Sequence, residues 1–449
     1  VQHVGQRCQR HRRTRVSVTL GLDDVGGEGD GALHRADLRL VFGTHYRDCI
    51  VAHAPTLGYT YSKVNPRGEG VAVSTGPGIV LELIRTGQAT TRKALIDRLG
   101  WSRVTLARRL DDLQTAGLII TTGALDSSGG RPPQELAVAK DAGVLLALDI
   151  GGSHTRIAVT DLVSEVLYED EADIGNDDGP EDIFEWARQV YDFLLARLGR
   201  TRADVVGIGI GVPGPVDPRT GELGAGQPDP RWDGVRVAEV FRDFSGLVAV
   251  GRDVHVLATA EARLGWPGYS DLIVLKVGMG VSCAFVTEGR LVRGMRGGAG
   301  QLSAPRSAGE RGALRPLEEL ASGRTIRDQL AREGISARTS ADIVALAQAG
   351  DPRAVDALID AGTIIGAALA DTVGLFNPEA VVIGGNLQDA GDRFLGAIRS
   401  ELLGSAHPYG RRGLVVERGR LGRRAGVRGA ALLAQDHVFD IARIDNFLR

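Results

Sequence analysis

Cysteine, methionine and aromatic residues are all sparse in this chain. Of its 449 residues three are Cys and two are Met, and 5% are aromatic. Cys8, Cys49 and Cys283 stand far apart with no CxxC pair, which excludes a disulfide framework, argues against a cysteine zinc site and favours a reducing cytosol. Long hydrophobic runs are missing too. The apolar stretches are too short to read as a bilayer span, and none follows a basic flank as a signal peptide would. Lysine is scarce beside abundant arginine and glycine, a compositional trait without mechanistic content.

What is present fits a globular chain. Hydrophobic residues make up 43% and charged residues 24%, and the length allows two or three domains with large cores. The net charge of −3 hides an asymmetry. Residues 1–75 carry ten basic against seven acidic side chains, residues 76–140 nine against six, and residues 141–449 thirty-four against forty-three. A basic front on an acidic body suits a nucleic-acid-binding module joined to a sensor or an enzyme.

Residues 1–75 hold no sustained helical or strand period. They open on "QRCQRHRRTR" and pass through "DDVGGEGDG", which reads as a disordered leader, or else as a basic arm that touches DNA. From Gly78 three short helical patterns follow. "GIVLELIRTG" ends at Gly87; "TTRKALIDRLG" starts on Thr90 or Thr91 and stops at Gly100. "WSRVTLARRLDDLQTAGLI" starts on Ser102 and is expected to turn Val104, Leu106, Leu110 and Leu113 inward. Residues 118–122 and 134–138 flank "GALDSSGGRPP" as a hairpin. Three helices and a hairpin over 76–140 make a winged helix-turn-helix. Ser102, Arg103 and Thr105 at the start of the third helix suit base edges and phosphates in a major groove. Arg108 and Arg109 lie a turn later, toward the backbone, and Arg131 at the wing tip suits a phosphate or a minor groove. A three-helix cap with solvated arginines is the plain alternative.

From residue 144 strands and helices alternate, which indicates an α/β architecture. Strands are expected at 144–150, 156–161, 205–211, 247–251, 272–277, 283–287 and 380–384. Helices are expected at 181–198, 236–244, 255–264, 314–333, 340–348 and 352–375. In "LLALDIGGSHTRIAVTDL" an apolar strand ends at Asp149, and Gly151, Gly152 and Ser153 make a turn whose N–H groups can converge on an anion. An ordinary tight hairpin is the other reading. "VVGIGIGVPGPVD" adds a second buried strand and turn. "LVAVGRDVHVLATAEARLG" then places Asp253 at the mouth of a helix, as a base for a hydroxyl group or as a simple N-cap. "LKVGMGVSCAF" carries a glycine loop at Gly278–Gly280, and "NPEAVVIGGNL" ends a strand on Gly384 and Gly385.

In this order the motifs resemble the ROK family (repressor, open reading frame, kinase), within the actin-like ATPase superfamily, over about 78–440. The resemblance implies a two-lobed ribonuclease-H-like α/β body behind an α+β winged helix, a sugar-sized ligand in the cleft, and a homodimer or homotetramer. It places Asp149, Gly151, Gly152 and Ser153 in a first phosphate loop and makes Asp253 the counterpart of the catalytic base. It further makes Glu318, in "PLEELASG", a binder of sugar hydroxyls, and Gly384 and Gly385 the adenosine-side glycines.

The departures from the family pattern carry as much weight. Arg252-Asp253 stands where kinases have Asn-Asp, "GMGVSCA" replaces GTGIGxG, and Met279 removes a hydroxyl donor. Ser282 and Ala284 add Cβ atoms where backbone would meet phosphate. "AGQLSA" replaces AGEIGH, so Gln301 and Ala304 stand for a sugar-binding glutamate and a zinc-binding histidine. "RSAGERGALRP" lacks every cysteine of the zinc knuckle, so no zinc is expected. Competent phosphoryl transfer is therefore not expected of the body (141–449), Asp253 reads as vestigial, and ATP is left open as a ligand. Arg252 and Gln301 would suit an acidic or phosphorylated sugar, unless Arg252 pairs with a neighbouring carboxylate. The expected function is a cytoplasmic transcriptional regulator, a repressor on a double-stranded operator, with a sugar or sugar derivative as effector. A sugar kinase with an accessory DNA-binding domain, and a ligand-blind dimerisation scaffold, are the alternatives.

Overall fold

A computed structural model describes residues 75–124, 134–224, 229–303 and 315–449 of the chain. The described residues form two compact units, one within 75–137 plus 441–449 and the other within 138–440. The leader and Arg131 at the wing tip lie outside the described residues.

The first unit has three helices, α1 (Pro77–Arg85), α2 (Arg92–Leu99) and α3 (Arg103–Thr115), followed by a two-stranded sheet of β1 (Ile119–Ala124) and β2 (Gln134–Val138). Thr91 caps α2 by accepting the Ala94 N–H, and Gly100 ends it at φ 68, a conformation that costs little only without a Cβ. Ser102 caps α3 by accepting the Thr105 N–H. Leu106, Leu110 and Leu113 are buried, but Val104 is 80% exposed and not inward. Two positions before Leu106 lies roughly 200° around a helix, on the opposite side. α1 has no side-chain cap of its own. A helix formed by Ile441–Phe447 packs against it, and Asp445 accepts the Gly78 N–H at 2.7 Å.

The second unit repeats one sheet topology. β3 (Val144–Ile150), β4 (Thr155–Thr160) and β5 (Val166–Ala172) form an antiparallel meander, followed by helices α4 (Pro180–Arg197) and α5 (Val237–Val240). β6 (Val205–Val212) and β7 (Val248–Arg252) add in parallel, giving the order β5-β4-β3-β6-β7. Helix α6 (Asp253–Ala260) leads to the second sheet, where β8 (Leu272–Val277), β9 (Val281–Thr287) and β10 (Arg290–Val292) form the meander. Helices α7 (Glu318–Ala321), α8 (Gly323–Arg332), α9 (Ser340–Gln348) and α10 (Pro352–Phe376) come next. β11 (Ala380–Gly384) and β12 (Val415–Arg418) then add in parallel, on either side of α11 (Asp392–Ser405), giving β10-β9-β8-β11-β12. The last helix of the unit is α12 (Ala425–Val438).

The expected single helix over 314–333 is broken after α7, because Ser322 takes an extended conformation and caps α8 through Thr325. Helix α10 is long and apolar enough to cross a membrane on composition alone, yet half of that stretch is buried inside the fold. Its inward residues, among them Leu358, Ile365 and Leu369, complete the second lobe's outer core with Ile273, Leu275 and Val277. The corresponding core of the first lobe uses Leu146, Leu148 and Ile150 with an aromatic group in which Phe184 meets Trp232 edge-on at 5.8 Å.

The period of two along each central strand decides the opposite face. In β3, Ala147 packs toward α12 while its neighbours face outward. In β8, Leu272 and Val274 pack with Val254 and Leu257 of α6. The two inner helices, α6 and α12, pack against one another at very short range. A Cβ at Gly209 of β6 would collide with the Ala430 carbonyl oxygen of α12, and one at Gly429 would collide with the Val256 carbonyl oxygen of α6. The Gly209→Ala variant is therefore expected to lose about 1–3 kcal/mol, read as a melting temperature lower by several degrees. Gly246→Ala, where an added Cβ meets nothing within 4 Å, should melt like the parent.

Candidate functional site

Three segments converge between the lobes: the turn after β3, the start of α6 and the turn after β8. Asp149 shares the inner face of β3 with Ala147, is 4% exposed, and lies against the first turn of α12, where a Cβ at Gly426 would collide with its carboxylate. Asp253 is the first residue of α6, with Arg252 in the capping position, so it is not the simple N-cap. Its Oδ1 accepts the Val254 N–H at 2.7 Å, and its Oδ2 lies 2.9 Å from Nζ of Lys276. The same ammonium is 3.7 Å from Oδ1 of Asp149. Burial works against the Lys276 charge, but the two carboxylates outweigh it and hold its pKa above the ordinary lysine value.

A second group lines the sugar-side wall that the resemblance implies. Arg252 is 4% exposed and donates from Nη1 to the Ala299 carbonyl at 3.2 Å, not to a carboxylate. His255 also engages that carbonyl, and burial, reinforced by Arg252, pushes its pKa down to about 4. Nε of Arg252 and Nε2 of His255 are buried without a hydrogen bond, an arrangement that favours a polar ligand over an apolar one. Glu318 sits close enough to Gly280 that a Cβ there would be 2.7 Å from its Oε1. Burial raises the Glu318 pKa. Gln301 is exposed, and Ala304 with most of the former zinc segment lies outside the described residues. Among the described residues no group of three His, Cys, Asp or Glu side chains could hold a metal. The Cys283 thiol is buried and pushed up to about 12 by that burial.

The phosphate side is filled from within. Met279 is 4% exposed, and a Cβ on Gly152 would lie 2.8 Å from its Cβ, so the Gly151–Gly152–Ser153 turn and the Gly278–Gly280 loop touch each other. Gly385, at φ +85, packs on Val277, next to the same loop. Asn386, just beyond it, meets Nδ1 of His154 at 3.3 Å. Ala284 turns into the core with Val254 and Trp266, so its Cβ does not face a phosphate position as expected. Phosphoryl transfer places a divalent cation and three phosphates between such loops. The residues present do not fit a divalent cation between Asp149 and Asp253, because the Lys276 ammonium already lies there.

Sequence reasoning missed Lys276, His255 and His154. The signal for Lys276 was available: a charged residue inside the apolar run "LIVLKV".

In the first unit, Arg103 and Arg108 are exposed on α3. Ser102 and Thr105 are joined by a 2.9 Å hydroxyl contact. Arg109 is drawn back, donating to the Thr75 carbonyl at 3.2 Å and pairing with Asp112 at 3.5 Å.

A two-lobed body of this topology defines a class, the kinase-like fold. The ROK family profile matches residues 145–437, and the chain belongs to that family. It is 26% identical over 344 residues to the xylose repressor of Caldicellulosiruptor bescii, covering 72% of this chain and 85% of that protein. The crystal structure of a ROK family transcriptional regulator, a homolog of the E. coli MLC protein, superposes with a TM-score of 0.67 at 25% identity, covering 83% of this chain and 98% of its own. A ROK family glucokinase from Streptomyces griseus, solved with glucose and AMPPNP, gives a TM-score of 0.55 at 27% identity, covering 66% of this chain and all of its own.

The low His255 pKa makes stability depend on pH. The unfolded chain takes up this proton near pH 6.5 and the folded chain only near 4, so stability falls as pH drops through that window. His154, lowered chiefly by burial, adds to the same slope. His255→Asn is expected to flatten part of the decline in melting temperature between pH 6.5 and about 4. Equal slopes in variant and parent would clear this imidazole.

Proposed function

We propose that this chain is a cytoplasmic transcriptional repressor that reads an operator through its winged helix and senses a sugar or sugar derivative in the ROK body, which also makes it a homo-oligomer. The observation that carries the reading is the joining of an exposed, polar α3 start to a body whose phosphate loops touch each other through Met279. The coverage of the comparisons agrees with it. The regulator structure covers 83% of this chain and the glucokinase structure 66%.

In this reading Arg103 contacts a base or phosphate in the major groove, Arg108 the backbone, and Arg131 a phosphate or minor groove. The exposed Val104 suits a thymine methyl. Ligand hydroxyls are held by Asp253 and Glu318, with Arg252 and His255 offering buried donors or acceptors. A ligand that prefers one degree of lobe closure shifts the spacing of paired winged helices, and operator affinity with it. Arg252 would favour an anionic sugar, since it brings a fixed cation to the wall.

Arg103→Ala and Arg131→Ala should each weaken binding to an operator fragment by about 10- to 100-fold, on the order of 1–3 kcal/mol, in a mobility-shift titration at fixed salt. Parent-like binding by both would overturn the groove assignment. The kinase reading rests on the retained Asp149 and Asp253. ATP-dependent phosphorylation of glucose, N-acetylglucosamine or mannose that vanishes in Asp253→Asn would establish it, and none is expected.

A further inference from the structure

The repeated topology gives Lys276 a counterpart. In the first lobe Leu148-Asp149-Ile150-Gly151 closes β3, and in the second Leu275-Lys276-Val277-Gly278 closes β8. Each strand is the central one of its sheet. In each, the apolar residues on either side face the outer core, and the charged one faces inward with the residues packed on α6 and α12. Equivalent positions of the two lobes thus carry opposite charges, and they meet at 3.7 Å, with Asp253 closing the triangle at 2.9 Å.

Two carboxylates turned into one buried space repel each other and require a cation. A phosphoryl-transfer site meets that requirement with a divalent ion bridging to phosphate. Here the cation arrives on a covalent stem. The residue type fits the task, because a compact ammonium can sit between two carboxylates in place of an ion, where a planar guanidinium demands a wider fork. The chain has four lysines (Lys63, Lys93, Lys140 and Lys276) in a sequence otherwise reliant on arginine, and one of them stands here.

We infer that Lys276 is an internal replacement for the divalent cation of a phosphoryl-transfer cleft. It neutralises Asp149 and Asp253, makes the cleft indifferent to metal, and holds Asp253 as a fixed hydrogen-bond acceptor on the sugar side. Lys276 is a positioning residue in this scheme, and no covalent step passes through it. The inference does not depend on operator recognition.

The test is a Mn²⁺ titration of the full chain, read by the electron paramagnetic resonance of the free ion and by melting temperature. The parent is expected to show no Asp149-dependent uptake. Lys276→Ser, which removes the charge and leaves room for a hydrated ion, should bind one Mn²⁺ per chain at least ~10-fold more tightly than the parent and gain thermal stability from it. Adding Asp253→Asn to that variant should abolish the gain. Saturable Mn²⁺ uptake by the parent that Asp149→Asn removes overturns the inference, as does a folded Lys276→Ser that takes up no more metal than the parent. Lys276→Ala serves as the second variant if the serine form does not fold. If neither folds, the parent titration decides alone: Asp149-dependent uptake refutes the inference and its absence supports it.

Discussion

Helix α12 lies against β6, β3 and α6 with almost no side chain between. Gly209, Gly426 and Gly429 each leave a space that a single methyl group would fill with a collision, against Ala430, Asp149 and Val256 respectively. Backbone contact of this kind has little compliance, since a few tenths of an ångström exhaust it. It fixes how closely α12 lies on β6, on α6 and beside Asp149 of β3. Acidic β5 and the start of α12 add a second restraint. Glu171 pairs with Arg156 and Arg423, and Glu169 with Arg424. Buried Arg156 also donates to the Arg423 carbonyl, so the strand meander and the helix that carries the contact are tied together.

The consequence for the cleft is an electrostatic circuit closed within the chain. In the class of kinase-like proteins the carboxylates of the cleft are partners for something that arrives from solution. In this chain Asp149 and Asp253 already have theirs, and Met279 takes the space between the two glycine loops. The sugar side is built differently. Arg252 and His255 are buried polar groups, each with a nitrogen that makes no hydrogen bond. Both halves keep buried polar atoms without a hydrogen bond, Asp149 Oδ1 and Lys276 Nζ on one and Arg252 Nε and His255 Nε2 on the other, but in the first half the charges are paired.

Much of the architecture was legible in the residues. Caps at Thr91 and Ser102, the stop at Gly100, and the apolar strands ending at Asp149 and Gly384 announce themselves through local chemistry that tertiary packing does not override. The helices at Asp392–Ser405, Ala425–Val438 and Ile441–Phe447 went unread. In α12 the reason is physical: packed by β3 and β6 on one side and α6 on another, it is rich in alanine and glycine and shows no clear amphipathic stripe. Val104 shows that apolar character does not decide burial: its angular position opposes that of Leu106, and it is exposed. Lys276 has no local signature beyond a charge inside the apolar run "LIVLKV". Its role exists only once two strands 127 residues apart in sequence are brought face to face, and no local pattern contains that.

The helix Ile441–Phe447 has a bearing on the life of the chain as it is made. Asp445 supplies the missing cap of α1, 367 residues after Gly78, and the Ile441–Phe447 helix covers one of α1's sides. On the ribosome, where domains fold as they emerge, helices α1 to α3 emerge before the body and meet the Ile441–Phe447 helix only after it. A chain truncated before Ile441 would thus lack both the Asp445 carboxylate that accepts the Gly78 N–H and the helix that packs on α1.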